Sequence, residues 1–291
     1  MKQQIDLNLI KSKLRKRDPY AHKGSMGTLL CVCGSYGMAG AAILSIRAGL
    51  RSGVGLIKAV LPSSIYPIVS SNVWEAVFLP VEDSKNGRLP SSVADFLIKS
   101  SENAGACLIG PGIGLDSETE ELVCKTVENF RIPMVIDADG INAVSKHIDV
   151  LKKAQAPIVL TPHLGEMARL TCVSISEIER CKSEIAAEFA KKNNVIVVLK
   201  GPGTVVASPN GEILINTTGN AGMATGGSGD VLSGMIASFI AQGFSPYDAA
   251  ACGVYLHGAA GDLAAQTLSQ TSMLPSDIIE QLPLLFKNLE L

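Results

Sequence analysis

Asp230 directly follows Gly226, Gly227, Ser228 and Gly229 within the stretch N-T-T-G-N-A-G-M-A-T-G-G-S-G-D-V-L-S-G, residues 216–234. The loop runs straight into V-L-S-G-M-I-A-S-F-I, whose apolar residues recur at helical spacing. Glycine has no Cβ, so such a loop can turn sharply and let a ligand approach its backbone. The helix behind it begins with unpaired N–H groups and a partial positive charge. Together these make a phosphate site. A carboxylate at its mouth could take the proton of a hydroxyl attacking a phosphoryl group. The same aspartate would also suit a first-turn or capping acid. The loop alone leaves both roles open, because short motifs have many false positives.

Further candidates stand elsewhere in the chain. Lys200, Gly201, Pro202, Gly203 and Thr204 could close over a nucleotide, with backbone N–H groups and the Lys charge near phosphates. A hairpin turn with a solvated Lys is the plainer reading. His163 lies in T-P-H-L-G-E at 161–166, and Asp137 and Asp139 lie in D-A-D-G at 137–140. The two aspartates could bind Mg²⁺ through water, or cap the next helix, with capping favoured for Asp139. His22 and Lys23 could serve only to dock the N-terminal arm. His147 and His257 sit in helical patterns and read as packing or surface residues. The His and Cys lack zinc-like spacing, so no structural zinc is expected.

What positions these residues is an alternation of strands and helices. Apolar runs at 28–33, 55–61, 74–79, 106–109, 133–136, 157–160 and 195–199 read as strands. Helical patterns fall at 41–51, 63–70, 91–100 and 116–129, with two further helical stretches before residue 195. Segments 204–207 and 212–216 flank P-N-G and read as a hairpin. Helices alone follow the Gly loop, at 231–242, at 246–266 and in a Leu-rich tail from Pro275. Residues 1–20 read as an N-terminal arm with a short amphipathic helix. The alternation predicts an α/β fold with a mostly parallel sheet covered by helices on both faces. Gly, Asp, His and Lys fall just after strands, at the carboxyl edge where such sheets bind ligands. With no long linker or repeat, residues 1–291 read as one domain.

Composition narrows the function further. The chain has 291 residues, 47% hydrophobic, 18% charged and only 4% aromatic, with a formal net charge of -2. That balance offers no footprint for nucleic acid or an acidic membrane. Seven scattered cysteines without C-x-x-C read as reduced thiols in a cytoplasmic protein. No run approaches the ~20 apolar residues of a spanning helix.

Taken together, H-K-G at 22–24, G-P-G at 110–112, D-A-D-G-I-N-A at 137–143, T-P-H-L-G-E-M at 161–167, L-K-G at 199–201 and the Gly loop carry a resemblance. The chain resembles the ADP/ATP-dependent NAD(P)H-hydrate dehydratases, members of the ribokinase-like superfamily, from about residue 22 to residue 257. The resemblance implies a lyase that dehydrates the S epimer of hydrated NADH or NADPH. It would phosphorylate the ring hydroxyl with ADP or ATP and then eliminate phosphate. Ala41, Gly112, His163 and Asp230 would contact the hydrated dinucleotide, with Asp230 as base. Lys200 through Thr204 and Gly229 would contact the adenine nucleotide. Mg²⁺ would accompany the nucleotide, held largely by phosphate and water and by no protein ligand set. Because no epimerase domain precedes residue 20, the expected form is the stand-alone one. That form uses ADP, works beside a separate NAD(P)H-hydrate epimerase and commonly assembles as a homotetramer. The alternatives are a kinase of the same superfamily, acting on a hydroxymethylpyrimidine or a thiazole alcohol, and a non-catalytic nucleotide sensor.

Overall fold

The computed structural model describes residues 2–14 and 16–289. Ten strands form one sheet: β1 (Lys2–Gln4), β2 (Thr28–Val32), β3 (Leu56–Pro62), β4 (Val77–Val81), β5 (Ala106–Ile109), β6 (Met134–Ile136), β7 (Ile158–Leu160), β8 (Ile196–Leu199), β9 (Val205–Ala207) and β10 (Ile213–Ile215). Their spatial order is β1-β10-β9-β8-β7-β6-β5-β2-β3-β4. Every pairing is parallel except those β9 makes with β8 and β10. The expected hairpin is therefore β9–β10, and β9 alone runs against the rest.

Alternate residues of the central strands feed two cores, as the two-residue period of a strand requires. Leu29, Cys31, Ala106, Leu108, Val135, Val159 and Val198 point to one face. Leu30, Val32, Cys107, Ile109, Ile136, Leu160 and Leu199 point to the other. The first face is covered by α1 (Leu7–Lys13), α2 (Ala39–Arg51) and α3 (Tyr66–Asn72), and by α10 (Ser228–Ala241), α11 (Pro246–Leu268) and α12 (Pro275–Asn288). The second is covered by α4 (Ala94–Ser101), α5 (Ser117–Asn129), α6 (Asp139–Lys146), α7 (Leu164–Thr171), α8 (Ile175–Arg180) and α9 (Lys182–Asn193).

The N-terminal arm carries the expected short helix, α1, and before it Lys2–Gln4 extends the sheet beside β10; Ile5 and Ile10 are buried. Its helix starts after Asp6, whose side chain accepts from the Leu9 N–H at 2.8 Å. The strand expected from residue 74 starts at Val77, set by pairing of Val77 with Lys58. Trp74 is exposed, and its indole N–H bonds back to the Ser71 carbonyl at 3.2 Å. Between residues 164 and 195 there are three helices rather than two. Cys172 at φ +59 separates the first two, and Cys181 separates the second from the third.

α2 and α10 cross closely because α10 carries Gly234. A Cβ there would lie 2.3 Å from the Ser45 carbonyl oxygen. Gly234→Val is expected to force the helices apart and destabilise by ~1–3 kcal/mol. Thermal unfolding checks this, and an unchanged melting temperature would contradict the close crossing.

Candidate active site

The loops after β2, β5, β6, β7 and β8 meet at the carboxyl edge of the sheet. Gly110 has φ +126, and a Cβ there would sit 1.9 Å from the Asp137 carbonyl oxygen, so the loops after β5 and β6 touch only through glycine. The Gly34 N–H donates to the Pro111 carbonyl and the Ser35 hydroxyl to the Gly112 carbonyl, both at 2.8 Å. Ala41 lies in the first turn of α2. A Cβ on Gly112 (φ +63) would be 2.8 Å from its Cβ, so Ala41 and Gly112 form one wall.

At the centre lies an ion pair. Asp137 follows β6 and is 1% exposed. Its Oδ1 accepts from Lys200 Nζ at 2.8 Å, while its Oδ2 has no hydrogen-bond partner among the described residues. Lys200 follows β8 and is anchored by its own N–H to the Pro162 carbonyl at 2.8 Å. Glu166, 4% exposed, brings Oε2 to 4.0 Å from Lys200 Nζ. That oxygen also accepts from the His163 N–H at 2.8 Å. His163 is the N-cap of α7. Its Nδ1 accepts from the Gly165 and Glu166 N–H groups, at 2.9 and 3.3 Å, which leaves the ring proton on Nε2, 3.4 Å from Glu166 Oε1.

α10 is set over this pair. Gly227, at φ +96, is its N-cap, and the helix starts at Ser228 rather than at residue 231. Gly229 and Asp230 thus occupy its first turn. A Cβ at Gly229 would lie 3.0 Å from Lys200 Nζ and 3.8 Å from Asp137 Oδ2. Nothing stands within 4 Å of such an atom at Gly226. Asp230 does not cap α10: the cap residue is Gly227, and no side-chain cap bond is made.

The electrostatics follow from one ammonium among several acids. Burial, with the Asp137 charge, pushes the Asp230 carboxyl up to about 7 against the pull of Lys200. Burial pushes Glu166 up to about 7, again opposed by Lys200 and reinforced by Asp137. Burial disfavours the Lys200 ammonium, but the Asp137 and Glu166 carboxylates outweigh it and hold its pKa above the ordinary value. Burial and the Lys200 and Arg169 charges keep His163 below its ordinary value. No group of three or more His, Cys, Asp or Glu among the described residues is arranged to hold a metal unaided.

The model of the NAD(P)H-hydrate dehydratase family matches residues 29–284. The chain belongs to this family. It is 41% identical over 280 residues to the bifunctional NAD(P)H-hydrate repair enzyme of Moorella thermoacetica, covering 96% of this chain and 53% of that protein. It thus spans about half the length of the bifunctional relatives it matches. It is 32% identical over 281 residues to the ADP-dependent (S)-NAD(P)H-hydrate dehydratase of Bacillus subtilis, covering 97% of this chain and 96% of that one. Among solved structures, the B. subtilis ADP/ATP-dependent NAD(P)H-hydrate dehydratase co-crystallised with ATP and Mg²⁺ superposes with a TM-score of 0.85. It shares 29% identity and covers 99% and 98% of the two chains. A ribokinase-like superfamily protein of Enterococcus faecalis gives 0.86 at 28% identity, covering 99% and 96%. The fold is ribokinase-like.

In this member of the dehydratase family, the residues singled out in sequence fall along one edge. Asp230, Gly229, Lys200 and, through Glu166, His163 are in one cluster. Ala41 and Gly112 make the wall beside it. Lys200 turns its ammonium inward to Asp137, while Gly201, Pro202, Gly203 and Thr204 form the adjoining loop, closed by the Thr204 hydroxyl on the Gly201 carbonyl at 2.9 Å. Asp139 is not a cap. α6 has no side-chain cap, and Asp139 Oδ2 accepts from the Gly114 N–H at 2.9 Å, pinning the loop after β5.

Several supports were invisible in sequence because they are remote in the chain. Lys182 Nζ donates to the Pro202 and Gly203 carbonyls, at 3.0 and 3.2 Å, and burial lowers it to about 8. Asp262 on α11 accepts from the Gly219 N–H and Asn220 Nδ2, at 2.9 and 3.0 Å, fixing the approach to the Gly loop. His257 is buried, with Nε2 3.4 Å from the Ser228 hydroxyl; burial lowers it to about 4, so it stays neutral. The Lys23 backbone lies close against Gly55, where a Cβ would meet the Lys23 carbonyl oxygen at 1.9 Å, while His22 Nδ1 accepts locally from the Ser25 N–H at 3.3 Å. His147 is a surface residue.

The raised Asp230 carboxyl has a stability consequence. Its folded value, about 7, exceeds its ordinary 3.8, so the folded state binds the extra proton between those values and loses stability as pH rises through them. Asp230→Asn removes that loss. The melting-temperature difference, variant minus wild type, is therefore expected to grow from about pH 5 to about pH 8. A difference that stays constant with pH would contradict the placement of the carboxylate.

Proposed function

We propose that this chain is a lyase that restores NADH or NADPH from the S epimer of its hydrate, with ADP as phosphoryl donor and AMP and phosphate as further products. The reading rests on family membership together with one observation. A carboxylate near neutrality sits in the first turn of a helix entered through glycines, beside a Lys–Asp pair at the sheet's carboxyl edge.

The chemistry follows from the leaving group. Hydroxide leaves an aliphatic ring poorly, and phosphate leaves well. Asp230 accepts the proton of the ring hydroxyl, whose oxygen attacks the terminal phosphoryl group of ADP as the bond to AMP breaks. The phosphate ester then eliminates: the C–O electrons leave with phosphate, and a proton lost from the neighbouring ring carbon leaves its electrons as the restored double bond. Gly229 keeps the first turn of α10 bare so that phosphate reaches its N–H groups. Lys200 holds positive charge beneath that turn. Ala41, Gly112 and His163 shape the side that receives the hydrated ring. Lys200 through Thr204 line the nucleotide side.

Mg²⁺ suits this donor set, because the buried Asp137 Oδ2 has no partner and Glu166 adds a second carboxylate. Those two residues would hold its waters while phosphate supplies the remaining ligands. When bound, it offsets charge on the phosphoryl oxygens. In the same reading the chain is one ribokinase-like unit, assembles as a homotetramer and works in the cytoplasm beside an NAD(P)H-hydrate epimerase. No helix among the described residues is long and apolar enough to cross a membrane.

Two variants test the site. Asp230→Asn keeps the size but cannot take a proton, so turnover is expected to fall ~10²- to 10⁴-fold while ADP still binds. Recovery of the reduced-nicotinamide absorbance, followed together with AMP release, checks this. Turnover within a few-fold of wild type in a folded variant would remove Asp230 as base. Accumulation of a stable phosphate ester by the wild type would favour the kinase, and no nucleotide consumption would favour the sensor. Gly229→Val places a branched side chain against Lys200 Nζ, and ADP affinity is expected to drop by at least tenfold in a calorimetric titration, ~1.4 kcal/mol or more. Wild-type affinity would overturn the phosphate placement.

A further inference from the structure

A recess opens between the loop after β5 and helices α6 and α7. It is a cleft of about 460 Å³ lined by Leu115, Asn142, Ser145, Lys146 and Arg169. That volume is within the range of ligand sites, ~300–1,000 Å³. Leu115 continues the loop after β5 that contains Gly112, and Asp139 at the start of α6 pins that loop through the Gly114 N–H. Arg169 is in the last turn of α7, the helix that His163 caps. A Cβ at Gly165, whose N–H bonds to His163, would lie 3.9 Å from Arg169 Nη1. The cleft thus shares a loop with Gly112 and a helix with the His163 cap, the residues proposed to receive the hydrated ring.

The charges around it are unequal in availability. Lys146 is paired with Glu120, Arg88 with Asp116 at 2.8 Å, and Lys200 with Asp137 at 2.8 Å. Arg169 makes no ion pair among the described residues. Only its Nε is engaged, donating to Asn142 Oδ1 at 2.9 Å. That bond orients the guanidinium and leaves both terminal nitrogens as a fork, the geometry that takes a phosphate through two parallel hydrogen bonds.

The proposed dehydratase must place more than a ring. Its dinucleotide carries a pyrophosphate and, in the phosphorylated cofactor, a third phosphate on the adenosine ribose. The nucleotide co-substrate takes the side of Lys200 through Thr204, across the site from β5 and α6. Of the two cations that line this cleft, Arg169 alone keeps donors outside any ion pair among the described residues. We infer that the cleft holds the phosphate-bearing half of the hydrated dinucleotide, with the Arg169 guanidinium as its phosphate ligand and Asn142 as the residue that aims it. The inference rests on the dehydratase reading for the identity of the ring.

The test is Arg169→Ala, with initial rates on hydrated NADH and hydrated NADPH at saturating ADP. A charge-assisted hydrogen bond of ~1.5–3 kcal/mol corresponds to a rise in KM of about 10- to 150-fold. The kcat and the KM for ADP are expected to stay near wild type. A rise confined to hydrated NADPH assigns the fork to the ribose phosphate, and a rise with both substrates assigns it to the pyrophosphate; either carries the inference. Unchanged KM values for both substrates, or a loss in kcat alone, overturn it. A binding measurement separates it from the reaction: ADP-ribose and its 2′-phosphate are titrated into the ADP-saturated protein. If wild type binds a fragment that Arg169→Ala does not, yet turns over neither hydrate, the dehydratase reading fails and the phosphate site stands. If neither fragment binds either protein while wild type turns over both hydrates, the site fails and the dehydratase reading stands.

Discussion

The contact between the Lys200 ammonium and the Asp137 carboxylate sets the terms for everything around it. Asp137 is almost wholly removed from water, and an isolated carboxylate in such a place would neutralise itself rather than stay charged. Lys200 makes the charge tolerable, and the same ammonium must also answer Glu166 and Asp230. Burial pushes both of those carboxyls up to about 7, and the Asp137 charge reinforces it against the pull of Lys200. Such a value suits the proton-accepting role proposed for Asp230 in the first turn of α10.

The pair is in turn fixed by the fold. Asp137 and Lys200 are 63 residues apart and end strands β6 and β8, with β7 between them. Parallel strands in register put their carboxyl ends at one level, so residues that follow different strands become neighbours. Small residues then let the loops close. Gly110 touches the Asp137 backbone, Gly112 touches Ala41, and Gly229 brings a helix start down on the pair. A Cβ would clash at Gly110 and Gly112 and sit tightly against Lys200 Nζ at Gly229, which ties the glycines of these motifs to the same geometry that holds the charges.

Much of this organisation was legible in the chain itself. Strand–helix alternation predicted the mostly parallel sheet, and turn residues at strand ends marked the edge along which the candidate residues gather. Errors came where local pattern competes with pairing. The N-terminal residues carry helical spacing, yet Lys2–Gln4 is drawn into a strand by an open sheet edge at β10. The apolar look of Trp74 suggested a strand, but strand limits are set by the partner, and β4 has only β3 to pair with.

The site divides along the same line. The type and order of residues in the Gly loop determined that a helix start, bare backbone and a carboxylate would stand together, because those properties are local and need only a few bonds to specify them. Whether Asp230 caps α10 was not a local matter. It depended on where α10 begins, and that followed from Gly227 adopting positive φ over Leu44 and Pro275. The supports from Lys182, His257 and Asp262, and the free fork of Arg169, were likewise decided only by tertiary structure. Whether a charge is paired, buried or available depends on distances between segments far apart in sequence, and no spacing along the chain encodes those distances.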